Sequence, residues 1–187
     1  MSQQITTSKV RLSYVSVFSP KQTPQGSMKY SVTCLLPKAD TAGYKIITDA
    51  IAREVQAEQQ GKLNGVTVPK TPLHDGDGVK SDGTPYGPEC KSCWVFTASA
   101  GEEYQPQVFD RNVQPLLDKT KLYSGCYGNV ALSVYAYNNQ SKGIGFGLNA
   151  VQVVEDGEPL GYSFDASKAF TAQQTAGDVD PLTGLPR

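Results

Sequence analysis

The chain has 187 residues, 39% hydrophobic and 19% charged, with a net charge of −1. This composition fits one globular domain with a complete core and excludes a disordered chain. No apolar run reaches bilayer length, and the opening "MSQQITTSKVRLSY" lacks the apolar core and cleavage site of a signal peptide, so a cytoplasmic compartment is expected. Cys34, Cys90, Cys93 and Cys126 are too few and scattered for a disulfide scaffold, and are expected to stay reduced.

In "KVRLSYVSVFS" (9–19), Val10, Leu12 and Tyr14 alternate with polar residues, and the phase then shifts to Val15 and Val17. That predicts a strand with a bulge or bend near its middle. After the turn "PKQTPQGS", "MKYSVTCLLP" sets Tyr30, Val32, Cys34 and Leu36 on one face, which completes a hairpin. Asp40 can cap a helix over about 41–60, with Tyr44, Ile47, Ile51 and Val55 as its apolar stripe and Gly61 at its end. The stretch 62–91 is rich in Gly, Pro and Asp and predicts a long polar loop of functional character.

Strands resume at "CWVFTASA", with a short one at "PQVFD". Two long ones, "CYGNVALSVYAYNN" and "GIGFGLNAVQVV", are joined by the hairpin turn "NNQSKG". The expected fold is mainly β: an OB-fold-like five-stranded barrel over 1–160, with one inserted α-helix and one long polar loop. Residues 161–187 lose periodicity and predict a flexible, mildly acidic tail. The stretch 155–187 has six acidic residues against two basic ones, a net of −4, which leaves 1–154 at +3. A mildly basic body with an acidic end suggests a nucleic-acid binder that can screen itself.

One face of the strand 126–137 carries Val130, Leu132, Val134 and Ala136. The other carries Tyr127, Asn129, Ala131, Ser133, Tyr135 and Tyr137. Tyrosines alternating with small polar residues on an open sheet form a platform on which nucleobases stack with little sequence preference. Beside them, Gly143, Gly145 and Gly147 leave one face of the next strand without side chains. That bare face reads as a barrel corner and as an open floor that a ligand or another backbone could approach. Tyr123, Tyr86 and Trp94 are further candidates for stacking. Trp94, with Phe96 two residues on, suits the core or the groove equally. Lys29, Lys80, Lys91, Arg111, Lys121 and Lys142 are the candidate phosphate contacts.

Catalytic patterns are weak by comparison. "CKSCW" is a lone CxxC and His74 the only histidine, so no metal site or cofactor is expected. Asp77, Asp82, Glu89 and Lys91 could instead form a Mg²⁺-dependent nuclease set around Glu89-Cys90-Lys91. That triplet precedes a strand rather than lying within one.

The ordered segments "TPLHDGDG", "CWVFTASA", "PQVFDRNVQPL" and "LYSGCYGNVALSVYAYNNQSKGIGFGLNAVQVVEDGEPLG" resemble the single-stranded DNA-binding proteins of tailed bacteriophages, of the OB-fold kind, from Lys9 to Gly161. The resemblance implies a non-enzymatic protein that coats single-stranded DNA in phage replication and recombination, in the cytoplasm of the infected bacterium. It also implies replication partners recruited through an acidic C-terminal extension. Here that extension ends in "PLTGLPR", only weakly acidic. Exposed sheet edges would allow a homodimer. A virion structural protein without nucleic-acid affinity is the third class consistent with the composition.

Overall fold

Val10, Leu12 and Val17 are all buried, although their spacing breaks the two-residue period of a strand. In β2 (Val10–Gln22) the break falls at Tyr14, whose φ of 46° makes the backbone locally left-handed. The ladder to β3 (Met28–Pro37) slips between Ser13 and Ser16 at the same place. The bulge expected from the phase shift is therefore present, and it leaves Tyr14 69% exposed. The computed structural model describes residues 2–161, so the tail expected beyond Gly161 lies outside the described residues.

β3 pairs with β5 (Cys93–Gly101), and β5 pairs in parallel with β8 (Lys142–Glu155) at Ser99 and Gly147. β8 pairs with β7 (Tyr127–Asn138), which returns to β2 through Gly128–Val10 and Tyr127–Arg11. The pairings thus run from β2 back to β2 in a ring of five strands. The protein is mainly β, with a mixed sheet and one α-helix. Leu12, Val32, Leu36, Phe96, Leu132 and Phe146 fill the interior, with Phe96 edge-on to Phe146 at 5.5 Å. Three short strands lie outside the ring: β1 (Gln3–Thr6) on β7, β4 (His74–Asp75) on β5, and β6 (Gln107–Phe109) on β8. Among the described residues, no helix is long and apolar enough to cross a membrane.

The helix α1 (Thr41–Glu58) starts where Asp40 accepts the Gly43 N–H at 2.8 Å, as its sequence predicts. It ends before Gly61, because the Glu58 carbonyl takes the N–H groups of both Gly61 and Leu63. Ile47, Ala50 and Ile51 are buried on its inner face, and so is Glu54. β1 pairs with β7 only as far as Val134; two residues on, Glu54 Oε1 accepts the Ala136 N–H at 3.2 Å. A carboxylate thereby replaces a strand neighbour. Glu54→Ala would leave that buried donor unpaired and is expected to cost about 1–3 kcal/mol. Urea unfolding would measure the loss, and Glu54→Gln should recover most of it.

The segment 62–91 has little regular structure, as expected, and is anchored along its length. Leu63 is buried in the core, Lys70 forms a bridge to Gly143, and His74 and Asp75 pair with Val95 and Trp94. The segment spans from β8 to β5 and forms one wall of the outer surface.

Candidate nucleic-acid interface

In β7 the valine face points inward, and Tyr127, Tyr135 and Tyr137 are half-buried on the outer face. Tyr135 stands opposite Gly145 and Tyr137 opposite Gly143. A Cβ on Gly145 would lie 2.8 Å from the Tyr135 ring, and one on Gly143 would lie 2.7 Å from both Tyr137 Oη and the Lys70 carbonyl. The phenol rings therefore lie across the neighbouring strand, on backbone that any other residue would obstruct. This corrects the reading of the glycines as an open floor: the rings and the Lys70 backbone cover Gly143 and Gly145, while Gly147 faces only the Ser133 side chain and backbone. Desolvation, then the neighbouring Tyr137, raises the Tyr135 phenol above its ordinary pKa.

A cleft of about 310 Å³ opens elsewhere on the outer surface, over β3 and β5. Its floor includes Leu35, Val95, Thr33 and Thr97, the two threonine hydroxyls lying 3.0 Å apart. Tyr86 forms part of its wall, packed on Leu35, Cys90 and Val95, and the Lys80 ammonium stands 5.8 Å from the Tyr86 ring centroid. His74 also lines the cleft, and exposed Tyr14 stands at its β2 rim.

The cleft wall is latched to the chain just beyond β3. Lys38 Nζ donates to Asp75 at 2.6 Å and to Asp77 at 2.7 Å, and lies 5.0 Å from the Trp94 ring centroid. Trp94 in turn stacks on Tyr44 of α1 at 4.8 Å. Hydrogen bonds from Lys38 lower both carboxyl pKa values, helped by the N–H of Asp77 on Asp75 and of Ser92 on Asp77. The same two bonds raise Lys38. A depressed carboxyl stabilises the fold above its unfolded pKa of about 4, and that contribution disappears as pH falls through the lower folded value. The raised lysine contributes below its unfolded pKa of about 10.4 and loses that contribution as pH rises through the folded value. The latch should therefore hold at neutral pH and open in acid below about pH 4. Trp94 is the sole tryptophan. Its fluorescence should change over that acid range in the native protein, and the change should vanish in Lys38→Met.

The other candidate residues are dispersed. Trp94 packs against the main core, under α1. Tyr123 is tied down, its hydroxyl donating to the Gly157 carbonyl at 2.8 Å and accepting the Gly157 N–H at 3.0 Å. Tyr127 lies under the cations of Lys9 and Arg11, at 5.7 and 5.8 Å. Lys142 donates to the Asn64 carbonyl at 2.6 Å and pins the loop to β8. Arg111 and Lys121 share a separate cleft with Glu155 and Asp156, at the opposite end of β8 from Lys142. Lys29 and Lys91 are exposed. The fold thus brings Tyr86 together with Lys80, and Tyr135 with Tyr137. The sequence reading missed Tyr14, whose signal was the phase break itself.

The nuclease set is not assembled. Asp77 is held by Lys38 and the Ser92 N–H, whereas Asp82 accepts the Thr84 N–H at 2.9 Å in a turn of its own. Among the described residues, no group of three His, Cys, Asp or Glu side chains could hold a metal ion.

Comparison with known proteins bears on the same elements. The family described as Enterobacter phage Enc34, ssDNA-binding protein, matches residues 3–180. The chain belongs to this Enc34 family. Its match runs from β1 through β8 and so includes both the cleft and the tyrosine–glycine hairpin. Among solved structures, the single-stranded DNA-binding protein from bacteriophage Enc34 in complex with ssDNA aligns with a TM-score of 0.71 at 28% identity, covering 84% of this chain and 89% of that one. Protein p50 of Acyrthosiphon pisum secondary endosymbiont phage 1 is 32% identical over 165 residues, which is 83% of this chain and 85% of its own length. Gp2.5, a single-stranded DNA-binding protein encoded by bacteriophage T7, shares the fold at a TM-score of 0.61 and 14% identity, over 94% of this chain and 99% of that one.

Proposed function

We propose that this Enc34-family chain coats single-stranded DNA during phage replication and recombination, in the cytoplasm of the infected bacterium, without catalysis and with little sequence preference. The ring of five strands is read as an OB barrel, a fold that takes oligonucleotides on the face of its second and third strands. Here those strands are β3 and β5, and the observation that carries the proposal is the cleft on that face. It pairs an aromatic wall at Tyr86 with a cation at Lys80 over a hydroxyl-lined floor. Bases stack on Tyr86, while Lys80, Lys91 and Lys29 meet phosphates. Tyr135 and Tyr137 offer a second surface, their outer ring faces.

A mobility-shift titration with a single-stranded oligonucleotide tests this. Binding should weaken with salt, with a log–log slope of about −0.7 for each phosphate neutralised. Salt-independent binding, no binding, or strand cleavage on addition of Mg²⁺ would each contradict the proposal. A homodimer through a sheet edge, and recruitment of replication proteins through 161–187, belong to the same proposal. Sedimentation of the full chain and pull-down with and without 161–187 test them.

A further inference from the structure

The cleft over β3 and β5 does not end at its β2 rim. It shares Ser13, Tyr14 and Glu89 with a second cleft of about 290 Å³, bounded on its other side by Ser124 and Leu160. That cleft shares Ser124 with a third, of about 250 Å³, whose lining includes Phe18, Lys21 and Tyr123. The three adjoin in turn through these shared residues, as a trough that passes β2 at its bulge.

The far end of the trough is aromatic and cationic. Half-buried Phe18 carries the Lys119 ammonium 5.4 Å from its ring centroid. Lys21 faces Lys29 directly across the β2–β3 ladder. Like charges placed opposite each other weaken a sheet. Among the described residues, neither lysine has an acidic partner within ion-pair distance, although Glu102 and Glu103 follow Gly101, which stands opposite Lys29. An unpaired cationic pair beside an aromatic groove suits a polyanion that carries flat rings.

Tyr14 stands where the first two clefts meet. A bulky residue at φ 46° is strained, and burial does not offset the strain, because the ring is 69% exposed. The bulge instead presents an open phenol ring to the trough. We propose that Tyr14 stacks a base at the centre of the single-strand path, and that the strand continues across β2 to Phe18, Lys21 and Lys119. This rests on the reading of the β3–β5 cleft as the DNA site and extends that site by residues of a second surface.

Tyr14→Gly separates stacking from structure, because glycine adopts this backbone without strain. The thermal midpoint should stay unchanged or rise, whereas affinity for a long oligothymidylate should fall about tenfold. Lys21→Gln with Lys119→Gln should make the salt slope shallower by about 1.4 and leave the affinity for a short oligonucleotide nearly unchanged. Tyr86→Leu is the control for the underlying reading. If Tyr86→Leu weakens binding but Tyr14→Gly binds like the native chain, the extended path is wrong and the cleft stands. If Tyr14→Gly lowers the thermal midpoint, the ring is structural and the inference fails. If the native chain binds no single-stranded DNA, both readings fall.

Discussion

Replacing Tyr135 with alanine is expected to destabilise the protein by about 2 kcal/mol, although its ring is half-buried rather than enclosed. The ring covers Gly145, where even a Cβ would lie 2.8 Å away, and its loss would bare two strands instead of one. A loss of that size lowers the thermal midpoint by roughly 4–8 °C in a domain of this length. Tyr135→Phe should keep nearly all the stability, since the ring, not the hydroxyl, makes the cross-strand contact. Gly145→Val should fail for the reciprocal reason. Because the two positions touch, Tyr135→Ala with Gly145→Val should be less damaging than the sum of the single changes, by roughly 0.5–3 kcal/mol. Strict additivity in that cycle would refute the ring-over-glycine packing. Any binding loss in Tyr135→Ala has to be read against this stability loss, whereas Tyr135→Phe, which keeps the ring face, should bind like the native chain.

The largest effect on binding is expected from Tyr86→Leu combined with Lys80→Gln. Leucine keeps apolar contact with Leu35, Cys90 and Val95 but cannot stack a base. Stacking is worth about 1–3 kcal/mol per base, and the lysine adds one phosphate contact, so affinity should fall roughly 30- to 100-fold at moderate salt. Lys80→Gln alone should change the salt slope by about 0.7 without affecting the thermal midpoint. Loss of binding without any change in slope would mean that Lys80 supports the Tyr86 ring and does not meet phosphate.

The strands were legible because their alternation is local: Val130, Leu132, Val134 and Ala136 point inward from sequence period alone. The β2 bulge was legible as a phase error, and α1 as a cap followed by an apolar stripe. β1 was not, because "QQIT" is too short and polar to show a period, and its pairing depends on the distant β7. The order in 62–91 comes from long-range pairings with β5 and β8 and from Lys38 reaching Asp75 and Asp77, none of which is written in the loop's own composition. The glycine alternation marked the right strand, but its meaning needed the register that sets Tyr135 over Gly145. Trp94 and Tyr86 look alike in sequence. Only the fold shows that Trp94 stacks under α1 while Tyr86 walls a cleft. Tyr14 read as one more apolar residue in an alternating strand, since exposure caused by a bulge is a property of the backbone.

Photocross-linking tests the central claim most directly. A halogenated-uracil single-stranded oligonucleotide would be bound to the full chain, irradiated, and the attached peptides located by mass spectrometry. The account expects adducts at Tyr86 and around Tyr14, on the two rims of the cleft over β3 and β5. Adducts confined to α1, or to the Arg111 and Lys121 end of β8, would contradict it.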